Sequence, residues 1–146
     1  MQCAQVMKHD YESVTPEDNV HTAARKMRDR GVGFLPVVDE NRKPVGTITD
    51  RDIAVRVAAQ DERPSNVGVQ DAMTTEVVVC RPNDDLRDAE EAMATARKAR
   101  IMVVNDDGQL VGVISLSDVI EREQDDRLAA YALRLVAERE TRPTIV

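Results

Sequence analysis

A chain of 146 residues with a net charge of −7 can form one compact domain or two small halves sharing a core, and its acidic surface repels a nucleic-acid backbone. Hydrophobic residues make up 42% but aromatics only 2%, with no Trp, so the core is aliphatic and few rings remain to stack on single-stranded bases. Cys3 and Cys80 have neither metal-ligand nor CxxC spacing, no apolar run reaches the length of a membrane span and the start lacks a signal-peptide core, so a reduced, cytoplasmic protein without membrane insertion is expected.

Val20, Ala23, Ala24 and Met27 fall at i, i+3, i+4 and i+7. They predict a helix over about 19–30, capped by Asn19 and closed by Gly31. Two short apolar runs follow, FLPVV at 34–38 and VGTI at 45–48, with DENRKP between them as a hairpin turn. A second helix is expected from near Asp50, ending in the 60–66 loop. The order then recurs. A helix over 85–97 is capped by Asp85, and strands at 101–104 and 110–114 flank a turn that carries the Gly such turns favour. A last helix starts near Leu116 and is expected to extend through Leu135, with Leu128, Ala132 and Leu135 on one face.

This recurrence is a duplication. Shifted by 66 residues, 6–56 and 72–122 align without a gap and agree at 12 of 51 positions, where average composition gives roughly 3. Met7 meets Met73, Pro16 meets Pro82, Gly46 meets Gly112 and Asp52 meets Asp118. The chain therefore reads as an α/β (α+β) fold of two strand–helix–strand–strand–helix units, 1–66 and 67–123, followed by a helical extension and tail over 124–146. A copy of about 60 residues buries too little to be comfortable alone. Two copies packed sheet to sheet about a pseudo two-fold axis would share a core and present two equivalent clefts.

The sharpest shared feature is the pair GTITDRD, 46–52, and GVISLSD, 112–118. Thr49 and Asp52, like Ser115 and Asp118, have capping-box spacing, so a helix start is one sufficient explanation. The same geometry exposes backbone N–H groups at a strand–helix junction and offers a carboxylate that can accept both hydroxyls of a vicinal diol. Gly46 and Gly112 let another group approach the strand closely.

On these residues, with VMKHDYESVTPEDNVHTAARKM and AMTTEVVVCRPNDDLRDAEEAM preceding them, the chain resembles a tandem pair of cystathionine beta-synthase (CBS) domains, a Bateman module, from about Val6 to Glu123. The resemblance implies a module that binds AMP, ADP, ATP or S-adenosylmethionine in clefts between its two units. It implies ribose contacts from Asp52 and Asp118, with Thr49 and Ser115 beside them. It implies an adenine wall from the segments 9–14 and 75–80, among them Thr75, Val79 and Cys80, and from Phe34 and Pro36 in one copy or Ile101 and Met102 in the other. Ile114, next to Ser115, completes the lining. Arg51 and Arg100 are candidates for a phosphate, although each is as readily a solvated surface charge. Arg100 makes the Asp118 cleft the better expected nucleotide site.

Enzymatic chemistry has no support in the sequence. His9 and His21 belong to no nucleophile–base pattern, Cys80 reads as a small buried hydrophobe, and there is no Walker A loop. The leading expectation is a regulatory sensor that reports ligand binding to a separate, unknown protein by conformational change and dimerises through its outer helices. No required cofactor or metal is expected. The alternative is a structural or interaction module whose Thr–Asp pairs serve only as caps. Nucleic-acid binding is a third, weaker option disfavoured by the charge.

Overall fold

The computed structural model describes residues 1–123 and 126–141, the side chains at 123, 126, 128, 129, 132, 136 and 139–141 excepted. Its helices and strands run α1 (Val20–Arg30), β1 (Phe34–Val38), β2 (Pro44–Thr49), α2 (Asp50–Arg56), α3 (Val69–Ala72), β3 (Val79–Cys80), α4 (Leu86–Ala96), β4 (Arg100–Val104), β5 (Leu110–Ser115), α5 (Leu116–Glu123) and α6 (Asp126–Thr141). Residues 124–125, within the span of the expected long final helix, lie outside the described residues, which are helical on both sides of them. Of the stripe expected on it, Leu135 is buried, while the Leu128 and Ala132 side chains lie outside the described residues, as do 142–146 of the expected tail.

The chain divides into two compact units, and their boundaries interleave. One unit joins Met1–Tyr11 to Val78–Asp107 and to the described residues between Val111 and Thr141; the other joins Glu12–Val77 to Gly108–Leu110. Each unit thus contains one repeat's helices and hairpin together with the segment that, in chain order, opens the other repeat. In the unit built on the first repeat, β1 and β2 pair antiparallel, Phe34 opposite Thr49 and Leu35 opposite Ile48. The strand expected before α1 is reduced there to one parallel bridge, Val14 to Val37. In the unit built on the second repeat, β3 pairs parallel with β4 through Val79–Met102 and Cys80–Val103, and β5 neighbours β4.

Most positions of the two cores match under the 66-residue shift. Val14, Val20, Ala23, Met27, Leu35, Val37 and Ile48 pack in one unit. Cys80, Leu86, Ala89, Met93, Ile101, Val103 and Ile114 pack in the other. The borrowed segments close each core: Val69 and Ala72 join the first cluster, Cys3 and Val6 the second. Cys3 and Cys80 thus stand where the other unit has Val69 and Val14, which is the small-hydrophobe role the sequence suggests.

The ends of α1 and α4 follow the sequence signals, whereas α2 stops at Arg56, short of the 60–66 loop where its end is expected, and a separate 3-10 turn follows at Ala58–Gln60. Asn19 and Asp85 cap α1 and α4 by accepting from Thr22 and Arg87 backbone N–H groups. Both helices end on a left-handed residue, Gly31 at φ 65° and its repeat counterpart Arg97 at φ 55°. The hairpin turns reverse that assignment: the left-handed position is Arg42 at φ 63° in the first repeat and Gly108 at φ 79° in the second. Each repeat therefore carries one relaxed glycine and one arginine held where glycine costs less.

Candidate functional site

Each unit presents the same strand–turn–helix junction. In the first-repeat unit, Thr49 Oγ1 accepts from the Asp52 N–H at 3.1 Å and Asp52 Oδ2 accepts from the Thr49 N–H at 3.0 Å. In the second-repeat unit, Ser115 Oγ accepts from the Asp118 N–H and Asp118 Oδ2 from the Ser115 N–H, each at 3.1 Å. Two reciprocal capping boxes are closed, which satisfies N–H groups that a helix start leaves orphaned. Both aspartates are half-buried, with one carboxylate oxygen, Oδ1, directed to a second partner.

That second partner comes from the borrowed segment. Thr74 Oγ1 donates to Asp52 Oδ1 at 3.4 Å, and Lys8 Nζ donates to Asp118 Oδ1 at 2.9 Å. Lys8 and Thr74 are repeat counterparts, and both are fixed by paired backbone bonds. Lys8 N–H donates to Val113 O at 2.9 Å and receives the return bond at 3.1 Å; Thr74 does the same with Thr47 at 2.8 and 2.9 Å. Glycine at 46 and 112 makes room for this crossing. A Cβ on Gly46 would lie 2.6 Å from Thr74 O, and one on Gly112 would lie 2.8 Å from Met7 Sδ. The group that approaches each strand is therefore the chain's own. Arg56 Nη1 secures one of the two segments by donating to Ala72 O at 3.1 Å and Met73 O at 2.7 Å.

Electrostatics separate the two junctions. Burial pushes the Asp118 carboxyl upward, but hydrogen bonds from Ser115 and Lys8 outweigh it and hold the group below its ordinary value. The Lys8 ammonium is raised, chiefly by its hydrogen bond to Asp118. The Lys8 side chain is 68% exposed and that of Asp118 11%.

The other sequence-derived candidates distribute unevenly. Phe34, half-buried at the start of β1, pairs with Thr49, so Phe34, Thr49 and Asp52 gather at one junction. Arg51 is half-buried in the first turn of α2, and Pro36 is buried in β1 opposite Thr47. Thr75 is exposed, one residue past the Thr74 that touches Asp52. Arg100 is half-buried at the start of β4 and Val79 is exposed in β3. Cys80, Ile101 and Ile114 belong to the aliphatic core, and Met102 is buried beside them in β4. The resemblance assigns the residue just after the methionine of each copy, Lys8 after Met7 and Thr74 after Met73, to the adenine wall, but the sequence does not show their contacts with the aspartates. Among the described residues no cluster of His, Cys, Asp and Glu could hold a metal ion, and no helix is long and apolar enough to cross a membrane.

The sequence model of the CBS domain matches residues 3–59 and again 69–125. The chain belongs to the CBS domain family. CBS domain pairs are regulatory modules, generally not catalytic. This pair is 36% identical over 121 residues to the CBS domain-containing protein YhcV of Bacillus subtilis, covering 83% of this chain and 84% of that one. It is 29% identical to the Methanopyrus kandleri protein MK0525 over 82% of its own length, but spans only 61% of that protein. Among solved structures, the CBS pair superposes on CBSX2 in complex with AMP with a TM-score of 0.70 at 25% identity, over 83% of this chain and 94% of that one.

Proposed function

We propose that the protein is a regulatory ligand sensor that binds an adenosine-containing nucleotide at the Thr49–Asp52 and Ser115–Asp118 junctions and signals to a separate protein by changing conformation. The observation that carries the reading is the pair of matched capping boxes. In each, a half-buried aspartate is held by its own helix start with a carboxylate oxygen turned toward a replaceable side-chain partner. A carboxylate so placed can accept a ribose diol without loss of its cap. The AMP complex of CBSX2 supports adenosine as the ligand class. Arg100, at the start of β4, is the candidate for a phosphate in the second-repeat unit. A ligand that favours one arrangement of its contacting elements shifts the population toward it, and a partner protein reads that shift. Self-association through the outer helices belongs to the same reading.

Thermal unfolding with AMP, ADP, ATP and S-adenosylmethionine tests the proposal. A ligand at 100 times its dissociation constant adds about 2.7 kcal/mol of stability, and Asp118→Asn together with Asp52→Asn removes the gain. A flat response to all four ligands favours a second reading, an interaction module without nucleotide. That reading has its own support: the capping boxes are complete as they stand, and Asp118 already has a partner on each carboxylate oxygen.

A further inference from the structure

The two junctions share backbone geometry and differ in one partner of the aspartate: an ammonium at Asp118, a hydroxyl at Asp52. We propose that Lys8 is the charge-selecting residue of the Asp118 junction, giving it preference for adenosine ligands that carry a phosphate, whereas Thr74 leaves the Asp52 junction without that preference. The inference rests on the nucleotide reading above and assigns a ligand class within it.

A bare carboxylate beside a bound phosphate repels it, and the repulsion is larger at a half-buried position than in bulk water. An ammonium 2.9 Å from Asp118 Oδ1 offsets that charge before any ligand arrives. The Lys8 backbone is fixed by its two bonds to Val113, while its 68% exposed side chain is a flexible stem ending in a compact point charge. Such a group can remain on Asp118 or turn toward a phosphate oxygen without moving the backbone, and either position favours an anionic ligand. Thr74 holds the same backbone place through its bonds to Thr47 and supplies no charge.

Isothermal titration of the full chain with AMP and with adenosine, on wild type, Lys8→Thr, Lys8→Arg, Thr74→Lys and Asp118→Asn, tests the assignment. Lys8→Thr lowers the preference for AMP over adenosine about tenfold, the scale of one charge-assisted hydrogen bond. Lys8→Arg retains the preference, and Thr74→Lys raises it at the other junction. An unchanged AMP-to-adenosine ratio in Lys8→Thr overturns the proposal. So does tighter AMP binding in that variant, which makes Lys8 a blocking group. Loss of both ligands in Asp118→Asn with a preserved ratio in Lys8→Thr defeats only the Lys8 assignment. Binding of neither ligand by wild type defeats the nucleotide reading and the assignment together. Circular dichroism of each variant confirms that it folds.

Discussion

A single ion pair, Lys8 with Asp118, has a pH signature that can be worked out in advance. An aspartate pKa lowered by folding stabilises the protein above the unfolded-chain value, and the gain is lost as pH falls through the folded value. A lysine pKa raised by folding stabilises it below the unfolded value, and that gain is lost as pH rises through the folded one. Both directions hold here. Lys8→Met is therefore expected to be less stable than wild type between about pH 5 and 10, with the difference closing in stronger acid and stronger alkali. Exposure of Lys8 keeps the effect small and sensitive to salt. Urea midpoints across that range check it, and a difference constant at every pH contradicts the pairing. Sequence spacing marked the Asp118 box because its members are three residues apart. It gave no sign of the Lys8–Asp118 pairing because the two lie 110 residues apart and only the folded chain joins them.

At the scale of elements, the glycines at 46 and 112 make unequal predictions from equivalent positions. A methyl on Gly46 meets a backbone carbonyl, Thr74 O, at 2.6 Å, whereas one on Gly112 meets side-chain atoms of Met7, from Sδ at 2.8 Å to Cβ at 3.1 Å. Gly46→Ala is expected to cost about 3 kcal/mol and Gly112→Ala about 1 kcal/mol, the two ends of the overpacking range. Denaturant unfolding of both variants decides it, and equal costs would mean that the backbone crossing yields as easily as a side chain. The elements themselves were largely legible. The caps Asn19 and Asp85, the spacing of Val20, Ala23 and Met27, and the Gly108 turn each act within one or two turns of chain, so their boundaries fell within about two residues of expectation. One feature was not legible for the opposite reason: the strand before α1 is only a bridge from Val14 to Val37, a pairing between distant positions.

For the molecule as a whole, the two cysteines report whether one core opens. Burial raises the Cys3 thiol, and burial together with Cys3 raises the Cys80 thiol, well above the ordinary thiol value, which starves both of reactive thiolate. Both are expected to react with a thiol reagent at pH 8 far more slowly than unfolded chain, at a rate that rises with urea in parallel with unfolding. Rapid labelling in native buffer would place Cys3 outside the core. Cys3 belongs to that core because residues 1–11 pack with the second repeat, just as 67–77 packs with the first. A chain of one repeat alone would thus have its own opening segment but no neighbour to supply the one that completes its core. A single repeat expressed alone is expected to complete its core by exchanging that segment with an identical chain. In the tandem chain the same trade is intramolecular, and the two exchanged segments differ, with lysine at position 8 of one and threonine at position 74 of the other.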